Sequence, residues 1–284
     1  MGTPQSLNEW PAPAKLNLFL HVVGRRVDGL HELQTLFQLI DHVDRLGFAV
    51  REDGDICVQG AVAVHPADDL TARAAYALKA ATECPFGVDI VLEKCIPVGS
   101  GLGGGSSDAA TVLLALNRLW ATGLGVAELA SIGLTLGADV PVFVHGHSAF
   151  AEGIGERLTP TALEPTWYCV LIPAVSVSTA RVFSSHELTR NTPRMTIPAL
   201  FQGEGRNDLE AVTCVLYPEV RKSLDWLRGY GDARMTGTGG ASFLPVGDRQ
   251  AGLNILNKAP PGCTGFVAQG LNRHPLVDET KFGV

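Results

Sequence analysis

The stretch "IPVGSGLGGGSSDAATVLLALNRLW", from Ile96 to Trp120, decides how this chain is read. Gly99, Gly101, Gly103, Gly104 and Gly105 crowd together, Ser106, Ser107 and Asp108 follow, and the pattern then turns helical. Clustered glycines accept positive φ angles and let a ligand lie against the main chain. Their N–H groups, with the free N–H groups that open the next helix, make an anion site whose natural guest is a phosphate. A tight turn needs only one or two glycines, so the cluster predicts more than a turn. Ser106 and Ser107 offer hydroxyls to phosphate oxygens or to Mg2+, with Ser107 the candidate metal contact, and serine is also a good helix N-cap. Asp108 in the first turn complements the helix dipole but repels a phosphate, unless Mg2+ lies between them or the carboxylate faces away.

Three glycine motifs compete for this stretch. A Walker A loop requires Lys-Ser/Thr after its last glycine, where Ser106-Ser107-Asp108 stands instead. Gly99, Gly101 and Gly104 spell the dinucleotide fingerprint, but the following "ATGLGVAELASIGL" reads as helix where that motif needs a second strand and an acid. A protein-kinase glycine loop sits between strands, whereas a helix follows here at once. What remains is an unusual phosphate loop, capped by a helix and carrying hydroxyls in place of lysine.

Upstream, "AKLNLFLHVVG" alternates Leu16, Leu18 and Leu20 with Lys15, Asn17 and Phe19, a strand pattern that puts Lys15 and Asn17 on one face. "HELQTLFQLI", "DRLGFAV", "DICVQGAVAV" and "GVDIVLEKCIPV" read as further strands, and "DDLTARAAYALKAA" as a helix with acids at its positive end. Downstream, Ala109, Val112, Leu113, Leu116, Leu119 and Trp120 form one helical stripe, and "GVAELASIGLTLGADVP" predicts another helix with a glycine stop. The composition shifts near Gly155 to Val175, which predicts two domains, 1–158 and 159–284. A second glycine cluster, "MTGTGGASFLPV", lies in the latter and reads on its own as a hairpin turn.

With 46% hydrophobic and 18% charged residues the chain has the composition of a globular protein, and its 284 residues suit two cores. A net charge of −7 argues against nucleic acid, which is held by clustered Lys and Arg. No apolar run reaches the roughly 18 residues of a membrane span. The N-terminus lacks the pattern of a secretory signal, and the match of "MGTPQS" to a myristoylation signal is read as coincidence. Cys57, Cys84, Cys95, Cys169, Cys214 and Cys263 form no C-x-x-C pair and are read as scattered buried thiols of a reducing compartment, hence a cytoplasmic protein.

"PVGSGLGGGSSDAA" resembles the central motif of the GHMP small-molecule kinases. With "PAKLNLFLHVVGRRVDGLHELQTLFQLID", "GADVPVFVHGHSAFAEGIGE" and "MTGTGGASF" in the same order, the chain resembles the branch that phosphorylates a cytidine-diphosphate-linked methylerythritol on the non-mevalonate route to isoprenoids. The resemblance implies an α+β fold of two units: a ribosomal protein S5 domain-2-like N-terminal, ATP-binding domain and a ferredoxin-like C-terminal domain, with the site in the cleft between them. It implies ATP and Mg2+, a small-molecule partner bearing cytidine diphosphate, and a monomer or weak homodimer that binds neither nucleic acid nor membrane.

The resemblance also assigns residues. Asp139 and Lys15 are the catalytic pair. An ordinary Asp, with a pKa of about 3.9, is a feeble base for an alcohol. In a loose phosphoryl-transfer transition state the hydroxyl loses its proton late, so Asp139 is expected mainly to orient the nucleophile. Lys15 is expected to hold Asp139 as the carboxylate and to offset charge on the transferring group. Pro97, Gly99, Gly101, Leu102, Gly103, Gly104, Gly105, Ser106 and Ser107 hold the ATP phosphates, and Lys94 and Asp69 lie in the adenine region. At Asp69 the family commonly has an asparagine, and a carboxylate lacks the amide's donor. Asn17, Leu30, His31, Thr179, Phe183, Gly237 and Gly239 bind the substrate, with His31 and Phe183 at the cytosine. Leu30 replaces the family's usual stacking tyrosine and supplies only part of that contact. Two alternatives remain: a GHMP kinase for another small alcohol, and a non-catalytic ATP-binding sensor of the same fold.

Overall fold

The computed structural model describes residues 9–60, 69–197 and 205–276; the "MGTPQS" hexapeptide and the end of "DICVQGAVAV" fall outside the described residues. Strand β1 (Trp10–Arg25) is built from the predicted alternation, yet it is buried on both faces. Ala14 and Leu16 enter a core cluster, while Lys15 and Asn17, each 3% exposed, point from the opposite face into a cleft. It pairs antiparallel with β2 (His31–Arg51), a single strand where the sequence suggested two. The break survives as a bulge: the register passes from Pro13 opposite Val43 to Ala14 opposite Ile40, leaving Asp41 and His42 out of the ladder.

The chain continues through β3 (Ile56–Gln59), α1 (Leu70–Thr82), β4 (Gly87–Glu93), α2 (Gly104–Leu119), α3 (Val126–Leu136), α4 (Val140–His145), β5 (Ala149–Gly153) and β6 (Arg157–Pro160). Then come β7 (Trp167–Pro173), α5 (Thr179–Ser184), α6 (Glu210–Leu216), α7 (Pro218–Arg228), β8 (Arg234–Met235), β9 (Ser242–Val246), α8 (Arg249–Leu256) and β10 (Cys263–Leu271). One path of pairing runs β3-β4-β2-β10-β7-β9-β8, with β1 and β5 also on β2, and β6 on β5. Strand β10 makes the join: Val267 and its neighbours pair with β7, and Gly270 and Leu271 pair with Ile40 and Leu39 of β2.

Three clusters hold this frame. One packs α1, α2, α3 and α4 on the sheet through Leu78, Ile90, Leu113, Leu116, Val142 and Phe143. A second joins α6 and α7 to β7 and β9 through Leu171, Val212, Leu224, Leu227 and Leu244. The third lies between them and draws Ala14, Leu16, Ile96, Leu102, Val170 and Phe243 together. On α2 the predicted stripe is buried at Ala109, Val112, Leu113, Leu116 and Trp120, whereas Leu119 at the helix end is 39% exposed. Fully burying a side chain such as Leu113 stabilises by about 1.5–3 kcal/mol, and its truncation to Ala costs about 2–5 kcal/mol. Among the described residues no helix is long and apolar enough to cross a membrane. The cysteines are all free, but only Cys84, Cys169 and Cys214 are buried; Cys57 and Cys95 are exposed, which departs from the uniform burial expected.

Candidate active site

The glycine stretch links β4 to α2, and much of what presses on it is protein. Gly101 has φ +78°, and a Cβ there would lie 2.6 Å from the Thr236 carbonyl oxygen and 2.9 Å from that of Gly239. Gly103, with φ +76°, occupies the N-cap of α2, and a Cβ on it would meet Phe143 at 3.0 Å and Lys15 Cε at 3.1 Å. Glycine is thus demanded at both positions by left-handed backbone and by close approach. The second glycine cluster is the hairpin loop between β8 and β9, as its sequence suggested, and it also locks onto the first: Ala241 N donates to Ser100 O at 2.8 Å. Lys15 N donates to Leu102 O at 2.9 Å, and the Leu102 side chain is fully buried, so this residue anchors the loop from below.

The first helical bond of α2 runs from Ser107 N to Gly103 O. The amides of Gly104, Gly105 and Ser106 are therefore not used by the helix. The expectation that Ser106 or Ser107 caps the helix fails, because the N-cap is Gly103 and no side chain caps it. Ser106 lines the cleft, whereas Ser107 is fully buried, its Oγ is without a hydrogen-bond partner, and it lines neither cavity. A helical step of 100° separates the two and turns Ser107 inward, away from any ligand.

Two cavities meet over the glycines. The larger, about 670 Å³, is lined by Lys15, Asn17, Asp139, Leu30, His31, Thr179, Phe183 and Gly237 among others. The smaller, about 440 Å³, is lined by Asp69, Lys94, Pro97, Gly104, Gly105 and Asp108 among others. Gly99, Gly101, Gly103, Ser106 and Thr179 border both.

At that junction Lys15 Nζ lies 3.4 Å from Asp139 Oδ2 and donates to Gly101 O at 3.1 Å and to Asn17 Oδ1. Asn17 is held in turn by its Nδ2 donating to Thr35 Oγ1 at 2.9 Å and by its backbone N donating to Thr236 Oγ1 at 2.9 Å. Asp139 sits at the N-cap position of α4, yet its side chain makes no capping bond. Its carboxylate, 35% exposed, faces Lys15 and the cleft instead.

Around the larger cavity, His31 packs on Phe183 with ring centroids 5.0 Å apart, and Leu30 stands 49% exposed at its rim. Thr179 Oγ1 and Thr238 Oγ1 are 3.0 Å apart. Gly239 does not line the cavity: a Cβ there would meet Thr213 at 2.6 Å, so this glycine serves packing, and Gly237 is the one that reaches the cleft.

Lys94 and Asp69 line the smaller cavity, but both are engaged by protein. Asp69 caps α1, accepting from Thr71 N at 2.8 Å. Lys94 Nζ bridges Asp44 and Asp108, contacting the latter at 2.7 Å. Asp44 is fully buried and also accepts from Cys95 N and Ile96 N at 2.6 and 2.7 Å, which pins the residues leading into the glycines. Burial, reinforced by the Asp44 charge and opposed by Lys94, lifts the Asp108 carboxyl to about 7. Burial alone would lower the Lys94 pKa; the Asp108 and Asp44 carboxylates overcome it and raise it. The conflict between Asp108 and a phosphate is thus resolved by a lysine. Thr35, Asp44 and Arg190 carry no signal in the sequence, because each acts through a partner that is distant along the chain.

The comparisons with known proteins converge on one family. The model of the GHMP kinases N-terminal domain matches residues 69–147, and that of the GHMP kinases C-terminal domain matches residues 187–261. The 4-diphosphocytidyl-2-C-methyl-D-erythritol kinase of Nitrosospira multiformis is 55% identical over 94% of this chain and 92% of its own. The protein of the same name from Shewanella halifaxensis is 50% identical over 98% of each. A crystal structure of 4-(cytidine 5'-diphospho)-2C-methyl-D-erythritol kinase superposes with a TM-score of 0.80 at 36% identity, covering 92% of this chain and 98% of that one. The mevalonate kinase of Methanococcus jannaschii, with a TM-score of 0.66 at 15% identity, covers 95% of this chain and 100% of that one and shares the fold alone. With nearly full-length identity above one half and both GHMP domains in place, this chain belongs to the 4-diphosphocytidyl-2-C-methyl-D-erythritol kinase family of the GHMP kinases.

Proposed function

We propose that this kinase transfers the γ-phosphate of ATP to the 2-hydroxyl of 4-diphosphocytidyl-2-C-methyl-D-erythritol, on the methylerythritol phosphate route to isoprenoids. The observation that carries the reading is the Lys15–Asp139 pair, 3.4 Å apart, at the glycine lip shared by two cavities. In this reading the smaller cavity takes the nucleotide, its phosphates lie over Gly101, Gly103, Gly104 and Gly105, and the free amides of α2 face them. The larger cavity takes the alcohol, with the base beside the packed His31 and Phe183 rings. Residues 1–158 and 159–284 are the corresponding N- and C-terminal domains.

Little covalent work falls to the protein in phosphoryl transfer; positioning and charge do most of it. Asp139 Oδ2 holds the acceptor hydroxyl and receives its proton late. Lys15, kept in place by Asn17 and Gly101 O, offsets charge on the transferring group. Lys94 and Asp69 take structural parts beside the nucleotide rather than direct contacts. Mg2+ suits the donor set as an ion held chiefly by the triphosphate: no group of three or more His, Cys, Asp or Glu side chains among the described residues forms a cage. The Ser106 hydroxyl and the Asp139 carboxylate would complete its shell, in place of Ser107, and the ion would neutralise phosphate charge.

The test is ADP release from Mg·ATP with 4-diphosphocytidyl-2-C-methyl-D-erythritol, comparing wild type with Asp139→Asn and with methylerythritol phosphate as the control substrate. Turnover that collapses in the variant, stops with EDTA and falls with the control supports the reading. ATP binding without ADP release overturns it and directs attention to another small alcohol.

A further inference from the structure

His31 lines the larger cavity, and behind its ring stands Arg190, which is not among the residues lining either cavity. Arg190 Nε donates to His31 Nε2 at 3.0 Å. The rest of the guanidinium is fixed by backbone: one terminal nitrogen donates to Leu188 O at 3.0 Å, the other to Phe183 O at 2.9 Å and Ser185 O at 2.6 Å. With three carbonyls holding the fork, its Nε has one direction left. Arginine carries donors only and is always charged. His31 Nε2 must therefore present its lone pair to Arg190, and the proton of the neutral ring lies on Nδ1.

We infer that Arg190 is a positioning residue that holds His31 as the neutral Nδ1–H tautomer, so that the ring offers the substrate's base a fixed hydrogen-bond donor. A protonated ring would set N–H against N–H at Nε2, so the same contact excludes the cationic form. The charges facing the ring are Arg190 and, across the β1–β2 ladder, Arg25, its register partner. Neighbouring Glu32 is engaged by Arg194. Burial first, and then these two cations, hold the imidazole below its ordinary pKa. The same arginine gathers the end of α5 by its bond to Phe183 O, and so places the residue on whose ring His31 packs. The tautomer follows from the structure alone; the substrate base rests on the proposed function.

Long-range 1H–15N spectra of the full-length labelled protein test the tautomer directly, with His31→Gln identifying the resonance. Wild type should report Nδ1–H, with any titration below the ordinary histidine range. Arg190→Met should release the ring to both tautomers and raise its titration above that of wild type, while burial and Arg25 still hold it below the ordinary value. Arg190→Lys, which keeps a charged donor, should restore the wild-type pattern at least in part. In turnover assays the KM of Arg190→Met for the cytidyl substrate should be raised severalfold while the free ring is neutral and shared between tautomers, and should fall back at lower pH as protonation restores Nδ1–H, with kcat at saturation unchanged. A loop that merely loosens would raise KM equally at every pH. An Nε2–H tautomer in wild type, or identical His31 titration in wild type and Arg190→Met, overturns the inference. Should Arg190→Met fail to fold, the wild-type and Arg190→Lys spectra still decide it. Absence of turnover in wild type would strike the proposed function and leave the spectra to judge the tautomer.

Discussion

Replacing Lys94 by Met separates two roles for this residue. Its Nζ lies between Asp44, fully buried, and Asp108, 2% exposed, while its own side chain is 16% exposed. Removing one partner of a buried ion pair costs about 3–5 kcal/mol, because a charge is left uncompensated. The partial exposure of Lys94 favours the low end, about 3 kcal/mol, equivalent to a fall in Tm of roughly 6–12 °C. The sign with pH follows from proton binding. Asp108 already has a folded-state value raised to about 7, above the unfolded one, so its contribution to stability is full below the unfolded pKa and fades as pH rises towards 7. Without Lys94, which lowers the Asp108 pKa, that carboxyl binds its proton more tightly still, so the loss should be larger at pH 8 than at pH 5.5. Differential scanning calorimetry of wild type and Lys94→Met at both pH values measures this. An unchanged Tm at pH 8 together with a raised KM for ATP would refute the reasoning and return Lys94 to direct nucleotide contact.

Other outcomes follow from the same geometry. Asp139→Asn should lower kcat by roughly 10²–10⁴-fold in ADP release while equilibrium titration finds ATP binding retained. Gly101→Ala imposes left-handed backbone at about 1–2 kcal/mol, plus the approach of its Cβ to the Thr236 carbonyl, and should lower Tm and turnover together. Leu30→Tyr, at the exposed rim beside His31, should tighten the cytidyl substrate by part of the about 1–3 kcal/mol that a full stack is worth, read as a lower KM with no change for ATP.

The first glycine stretch and the strand alternation around Lys15 and Asn17 were legible because both are local: φ, period and residue type lie within a few positions. The Lys15–Asp139 contact was legible only by resemblance, since in bare sequence Asp139 reads as a helix cap. What escaped was set at long range. The bulge at Asp41 and His42 arises from the β1 register, so a strand twice interrupted by polar residues is in fact continuous. Ser107 and Gly239 looked like ligand contacts from motif position, but helix phase turns one into the core, and packing on Thr213 explains the other. Asp44 sits in an unremarkable "LIDHVD", and only the folded chain brings it to Lys94. The five glycines suggest room for phosphate, and part of that room is taken by Thr236, Phe143 and Lys15.

The lock between the two glycine loops has a consequence for how this protein can be divided. Ser100 is tied to Ala241, Gly101 is seated on Thr236 and Gly239, and β10, near the end of the chain, closes on β2, near its start. Neither half carries a finished glycine loop. A fragment ending before β7 would present its glycines with no rail on one side, and a chimera joining halves of two relatives would have to match them at these backbone contacts before any side chain in the cleft mattered.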